Sequence, residues 1–199
     1  MKAGGKKWPD RQSYLERLAP RAAGRIVVCC LGGASRMWSE TRPQASNFFL
    51  TDYMGLTLPV ALGMAVARPD RSVIALEGDG GLLMKLEALV TAGAKAPPNL
   101  LILAFYNAVY AATGGQALPA DPSIDLEDFA RAARFPQTAT VDSPKAFDAA
   151  LDEMLDSGRA GFINLLTAPD SMSIRKVDRR PRPLEMRADF TRWVREGDR

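Results

Sequence analysis

The residues best suited to chemistry are Glu77-Gly78-Asp79-Gly80-Gly81 and, 27 positions after Gly80, Asn107. An aspartate and an asparagine are hard oxygen donors of the kind that Mg2+ or Ca2+ takes, and Mg2+ usually completes its shell with phosphate oxygens. Glycines at 78, 80 and 81 let a phosphate approach the backbone, and a helix starting behind them offers it free N–H groups. The combination points to a metal–diphosphate site. The 199 residues include no histidine, which removes Ser-His-Asp and Cys-His catalysis and every histidine metal site. Chemistry on this chain must therefore come from carboxylates, a cofactor or a partner chain.

The elements around these residues are legible. Ser72 to Leu76 reads as a buried strand leading into the acidic turn, Leu82 to Ala94 as the helix behind it, and Leu100 to Tyr106 as a second strand ending on Asn107. Parallel strands would bring both residues to the carboxyl edge of the sheet, where open α/β sheets bind ligands. Upstream, Ile26 to Leu31 is an apolar strand followed by the loop Gly32-Gly33-Ala34-Ser35-Arg36, with Ser35 as cap of a short helix. Asn47 to Leu50 is a short strand, and Leu56 to Ala67 an apolar helix with Pro59 in its first turn.

Downstream, residues 108–125 read as a long loop of a length that is usually functional or disordered. A helix from Leu126 to Arg134, a strand from Gln137 to Val141, a helix from Lys145 to Asp156 capped by Ser143 with Pro144 at its first position, and a strand from Gly161 to Leu166 follow. Arg11 to Leu18 is predicted to form a helix near the start. Residues 184–196 are predicted to form a last one, with Met186, Phe190 and Trp193 on one face. The alternation predicts an α/β fold: a doubly wound, mostly parallel sheet with helices on both faces. The expected organisation is a lead-in at 1–24, one domain at 25–168, and a basic tail with a short helix at 169–199.

Apolar content of 47% and charged content of 25% are those of a soluble globular protein. Residues 175–199 hold nine Arg/Lys against five Asp/Glu, so the positive charge lies in the tail. A nucleic-acid binder would set it on a folded face among aromatics, and no nucleic-acid partner is expected. Cys29 and Cys30 are neighbours in a strand and point to opposite faces, which suits neither a metal pair nor a disulfide. They read as small buried hydrophobes in a reducing cytoplasm. Met1 to Trp8 carries no apolar signal core, and no apolar run is long enough to span a membrane.

The acidic turn and the Asn107 spacing resemble the diphosphate motif of thiamine-diphosphate-dependent enzymes, whose pattern is Gly-Asp-Gly, a spacer of this length, and Asn. Tyr53-Met54-Gly55 is similar to the Ser-Met-Gly part of that family's Gly-Ser-Met-Gly loop. The helix and turn up to Arg71 and Pro97-Pro98-Asn99-Leu100 also fit. The run Asn107-Ala108-Val109-Tyr110-Ala111-Ala112-Thr113-Gly114-Gly115-Gln116 resembles the Asn-Gly-Val-Tyr-Gly-Glu-Thr-Gly-Gly-Gln segment of the sulfopyruvate and phosphonopyruvate decarboxylases. Gly33-Ala34-Ser35-Arg36 is similar to that group's Gly-x-Pro-Ser-Arg. The likeness covers about residues 25 to 167.

The resemblance implies roles. Asp79 and Asn107 would ligate Mg2+ through their side chains and Val109 through its carbonyl. Gly78, Gly80 and Gly81 would hold the diphosphate, with Tyr110 beside it. Met54 would support the bent cofactor, Asp52 would offer a carbonyl to its amino group, and Tyr53 would lie alongside. Arg36 would meet a second anionic group on the substrate, with Gln116 as a further catalytic candidate. The sequence departs from the family pattern at Asp52 and Tyr53, which stand for Gly and Ser, and at Ala108, Ala111 and Ala112, which stand for Gly, Gly and Glu.

The family's activating glutamate belongs to a separate pyrimidine domain, so the resemblance implies an α-type partner subunit that supplies it. The assembly would be a hetero-oligomer with at least two copies of each chain. The activity implied is decarboxylation of a small 2-oxo acid bearing a second anion, such as sulfopyruvate or phosphonopyruvate. The alternatives are a carboligase of acetolactate-synthase type, the β subunit of a 2-oxo acid:ferredoxin oxidoreductase, disfavoured by the lack of cluster cysteines, and a non-catalytic subunit that keeps the fold.

Overall fold

Short apolar runs bounded by turns build a parallel sheet in the computed structural model, which describes residues 7–121, 123–169 and 180–196. The strands are β1 (Ile26–Cys29), β2 (Asn47–Phe49), β3 (Val73–Gly78), β4 (Leu100–Tyr106), β5 (Val109–Tyr110), β6 (Gln116–Ala117), β7 (Gln137–Val141) and β8 (Gly161–Leu166). Six of them form the main sheet in the order β2-β1-β3-β4-β8-β7, with every neighbouring pair parallel. The chain runs outward from β1 to β2, then returns to lay β3 on the other side of β1. That reversal is the switch point at which such sheets bind ligands beyond the strands' carboxyl ends.

The helices are α1 (Arg11–Leu18), α2 (Gly33–Thr41), α3 (Thr57–Ala67), α4 (Asp79–Met84), α5 (Leu86–Lys95), α6 (Leu126–Ala132), α7 (Pro144–Met154) and α8 (Pro183–Glu196). They cover both faces, and the strand pleat sorts the core between them. Val27, Ile74, Leu76 and Leu103 pack with Tyr14, Trp38 and Phe147 from α1, α2 and α7. Val28, Val73, Ala75 and Ile102 pack with Leu58, Leu89, Leu126 and Phe190 from α3, α5, α6 and α8. Two covered faces explain why all of β4 is buried and reads as one continuous apolar run.

Side-chain caps start three helices where the sequence places them. Asp10 accepts from Ser13 N–H ahead of α1, Asp125 from Glu127 N–H ahead of α6, and Ser143 from Ala146 N–H ahead of α7 with its leading proline. The predicted tail helix forms and closes an edge of the sheet. The Phe190 ring lies 5.3 Å from Phe48, Phe49 N–H donates to the Met186 sulfur at 3.0 Å, and the Arg71 guanidinium stands 5.1 Å over Trp193. A helix over β2 removes an edge that would otherwise offer unpaired backbone groups. The basic run at 175–179 lies outside the described residues. Among the described residues no helix is long and apolar enough to cross a membrane.

Three local expectations are corrected. The helix after the acidic turn begins at Asp79 itself and breaks at Lys85 (φ −135°, ψ 46°), so it is two helices rather than one. The break lets α4 start at the turn while α5 swings onto its neighbours. There Gly93 sits so close to the end of α6 that a Cβ would lie 1.8 Å from the Ala133 carbonyl oxygen. Ser35 does not cap α2. The N-cap is Gly32 at φ 88°, and the buried Ser35 hydroxyl donates back to the Gly32 carbonyl at 3.1 Å. The long loop holds a small antiparallel hairpin, β5 against β6, pairing Val109 with Ala117 and Tyr110 with Gln116.

Candidate cofactor site

The register of β3 against β4 pairs Gly78 with Phe105, so the two strands end level and the residues that follow them meet. Asp79, 5% exposed, uses its carboxylate as a latch between them. Its Oδ1 accepts Gly80 N–H at 2.8 Å, and its Oδ2 accepts Asn107 N–H at 3.0 Å and Ala108 N–H at 2.7 Å. Asn107 is also buried, and its Oδ1 accepts Val109 N–H at 3.0 Å. Burial raises the Asp79 pKa, against the three N–H donors and the nearby Arg11 charge, which lower it. The turn forces Ala108 to φ 58°, a left-handed backbone that glycine takes more readily.

The glycines of the turn differ in what they allow. A Cβ on Gly80 would lie 2.4 Å from Tyr110 Cε1, and one on Gly81 would lie 2.5 Å from Glu77 Oε1. Gly78 has nothing among the described residues within 4 Å of that position. The loop after β2 reaches the same place. Gly55, at φ 78°, would direct a Cβ to 2.6 Å from Lys85 Cγ and 3.1 Å from the Gly81 carbonyl oxygen. The loop after β1 adjoins the hairpin, since a Cβ on Gly32 would touch Ala112 Cβ at 3.7 Å.

Gly78, Asp79, Gly80, Gly81, Asn107, Val109 and Tyr110 are thus one constellation. Met54 is half-buried and precedes Gly55, the residue of that loop that meets the turn. Asp52 and Tyr53 are exposed, and Asp52 Oδ2 accepts from the Thr51 hydroxyl at 2.9 Å. Arg36 lies in the first turn of α2, partly buried, and its Nε is buried with no hydrogen bond among the described residues. Gln116 is exposed and engaged in its own hairpin: its Nε2 donates to the Thr113 carbonyl at 3.0 Å and its Oε1 accepts from the Thr113 hydroxyl at 3.0 Å. Those contacts do not join it to Asp79.

Two residues carry no assigned role in the sequence reading. Glu77 is 1% exposed. Burial pushes its carboxyl up to about 7, while the Gly78 amide, the Thr57 hydroxyl and the Thr57 and Leu58 amides hold it down. A carboxylate inside the run Val73-Ile74-Ala75-Leu76-Glu77 was itself the signal. Arg11, on α1, is 7% exposed, sits 5.2 Å from the Phe105 ring centre, and acts on both Asp79 and Cys30. No local pattern marks it, because the contact spans most of the domain.

Among the described residues no three acidic, cysteine or histidine side chains converge on a metal position. One carboxylate, one amide oxygen and a backbone carbonyl are a donor set for a hard cation that also takes phosphate oxygens and water. The residues therefore fit a Mg2+–diphosphate group.

A family model described as "Thiamine pyrophosphate enzyme, C-terminal TPP binding domain" matches residues 27–165. Over 117 residues the chain is 38% identical to the sulfopyruvate decarboxylase subunit beta of Methanothermobacter thermautotrophicus, covering 59% of this chain and 62% of that protein. Over 167 residues it is 34% identical to the phosphonopyruvate decarboxylase of Streptomyces viridochromogenes, covering 82% of this chain and 41% of that protein. The chain thus spans less than two thirds of the length of either relative. It superposes with a TM-score of 0.69 and 22% identity on the Rhodococcus jostii RHA1 thiamine diphosphate-dependent 4-hydroxybenzoylformate decarboxylase, covering 85% of this chain and 34% of that one; at that identity the likeness is one of fold. The matched stretch runs from β1 to β8 and takes in the Asp79 turn and Asn107, and the chain belongs to the thiamine pyrophosphate enzyme family, as its C-terminal TPP-binding domain.

Proposed function

We propose that this chain is the β-type, diphosphate-binding subunit of a thiamine-diphosphate- and Mg2+-dependent 2-oxo acid decarboxylase. Its substrate would be a small 2-oxo acid with a second anionic group, of the sulfopyruvate or phosphonopyruvate class. The observation that carries the reading is the buried Asp79 carboxylate held by the Asn107 and Ala108 amides, with Asn107 itself buried. The relatives' names, one of them a subunit beta and both of them decarboxylases of such acids, support the substrate class and the subunit role.

Asp79, Asn107 and the Val109 carbonyl would hold Mg2+, and Gly78, Gly80 and Gly81 would accommodate the diphosphate, with Tyr110 closing one side. Met54 would support the cofactor's bend, next to the Asp52 carbonyl and Tyr53. When bound, thiamine diphosphate supplies the electron sink for loss of carbon dioxide from a 2-oxo acid. The chain's own work is positioning and charge. Arg36, a half-buried residue whose Nε makes no hydrogen bond among the described residues, would meet the substrate's sulfonate or phosphonate, which a planar fork of donors binds well. Gln116 would serve as a substrate contact only after leaving Thr113. The activating glutamate would come from an α-type pyrimidine-domain partner, in an assembly with at least two copies of each chain. Within the chain, the functional unit is 25–168, with 1–24 as lead-in and 169–199 as tail.

The test is to purify the full chain with its candidate partner, titrate thiamine diphosphate with and without Mg2+, and screen 2-oxo acids for carbon dioxide release. Binding is expected only with the metal, and turnover only with the partner. Binding that survives Asp79→Ala undiminished would remove the metal assignment, and turnover by this chain alone would remove the two-subunit assignment.

A further inference from the structure

We propose that Glu77 is a positioning residue: its carboxylate sets the spacing between the Met54–Gly55 loop and the Asp79–Gly81 turn. The inference rests on the cofactor reading above. It starts from an anomaly. Glu77 is a carboxylic acid buried to 1% exposure in a central strand of the sheet, and among the described residues its Oε2 makes no hydrogen bond of good geometry. Buried, under-satisfied acids are costly and native structures keep few of them.

What the side chain touches accounts for it. The pleat points Glu77 to the same face as Val73 and Ala75, the face covered by α3. The N-cap of α3, Leu56, has no side-chain cap; the first-turn amides of Thr57 and Leu58 act on the Glu77 carboxylate and lower its pKa against burial, and the Gly81 Cβ position that meets Glu77 Oε1 lies 3.4 Å from the Gly55 nitrogen. An anion at a helix N-terminus is favoured by those amides and by the helix dipole. The other side of the same carboxylate lies against the acidic turn. Oε1 accepts Gly78 N–H at 2.9 Å and lies 2.5 Å from where a Gly81 Cβ would be. Gly55 in turn rests against the Gly81 carbonyl, at 3.1 Å from its own Cβ position.

One carboxylate therefore spans the start of α3, which carries Met54 and Gly55 immediately before it, and the turn that carries Gly80 and Gly81. In the functional reading these two loops face different parts of one cofactor. Glu77 would not touch the reacting atoms; it would preset the gap into which they fit.

The experiment uses the full chain in complex with its partner subunit and follows thiamine diphosphate binding by calorimetry at saturating Mg2+, at a temperature where each variant is fully folded. Glu77→Gln keeps the shape and removes the charge. It is expected to weaken cofactor binding by about 10- to 100-fold, the usual effect of losing an outer-shell partner, and to leave the substrate KM unchanged. Amide exchange at residues 54–58 is expected to quicken in the same variant with no cofactor present. Gly81→Ala forces a Cβ onto Oε1 and should weaken binding too. Adding Glu77→Ala to it opens room for that Cβ, so the double variant should lose less than the two singles combined.

Wild-type affinity in Glu77→Gln, unchanged exchange at 54–58, or additive losses in the Gly81/Glu77 pair would each overturn the proposal. If Glu77→Gln does not fold, Glu77→Asp, which retains the charge and withdraws it by one methylene, carries the same test. Absence of Mg2+-dependent binding in the wild-type complex would bring down the functional reading together with this one. Wild-type binding with an unaffected Glu77→Gln brings down this one alone.

Discussion

Asp79 and Asn107 are joined through the backbone: Oδ2 of Asp79 accepts the Asn107 N–H at 3.0 Å and the adjoining Ala108 N–H at 2.7 Å. The carboxylate thereby ties the ends of two neighbouring strands, and the group proposed to bind a cation also holds the turn in shape.

Asp79→Ala should do double damage. Three N–H groups lose their acceptor, which should lower stability by about 2–3 kcal/mol, and metal-dependent cofactor binding should vanish. Urea unfolding and calorimetric titration read the two effects separately.

Ala108→Gly should act in the opposite direction. Ala108 holds φ 58°, and relief of that strain, less the extra freedom glycine has when unfolded, should stabilise the chain by about 0.5–1 kcal/mol. A shift of the urea midpoint at constant slope would register it; a fall in stability would show that the methyl group packs usefully.

Gly80→Ala places a Cβ 2.4 Å from Tyr110 Cε1. Displacing a ring at the edge of the hairpin should cost about 1–3 kcal/mol, and Tyr110→Ala in the same chain should recover part of it through their direct contact. Thermal melts of the two singles and the double close the cycle.

The thiols should be inert in the folded chain. Burial and the Glu77 charge push Cys30 up to about 12, and burial raises Cys29 as well. Both folded pKa values lie above the usual 9.0, so the folded state keeps its protons longer than the unfolded one. The associated stability is complete below about pH 9 and drains away as pH rises toward 12. At pH 8, alkylation detected by mass should label neither cysteine until urea unfolds the chain.

Phe190→Ala should strip the apolar anchor of α8 from Phe48 on β2. A loss of about 3 kcal/mol is expected, together with concentration-dependent aggregation by light scattering as the β2 edge opens.

Much of this architecture was legible in the chain because its causes are local. Leu100 to Tyr106, Gln137 to Val141 and Gly161 to Leu166 fold as strands with the bounds the apolar runs predict, and Arg11 to Leu18 as the predicted helix. Where boundaries moved, a neighbour moved them. β3 runs on to Gly78 because pairing with β4 continues to Phe105, and the helix after the turn breaks at Lys85, where the Gly55 loop packs against it. Ser35 has a capping residue's chemistry, but it lies one turn too late, behind Gly32.

By itself the sequence determined the α/β class, the pairing of an acidic turn with an asparagine at two strand ends, and the absence of histidine chemistry, because spacing and residue type depend on no distant partner. Only the tertiary structure decided that Asp79 grips the Asn107 backbone, that Gln116 is tied up with Thr113, that Arg11 of the first helix lies within reach of Asp79, and that Glu77 bridges two loops. Each of these depends on how far apart strands and helices stand once packed. That spacing is set by the whole core, and no stretch of the chain records it alone.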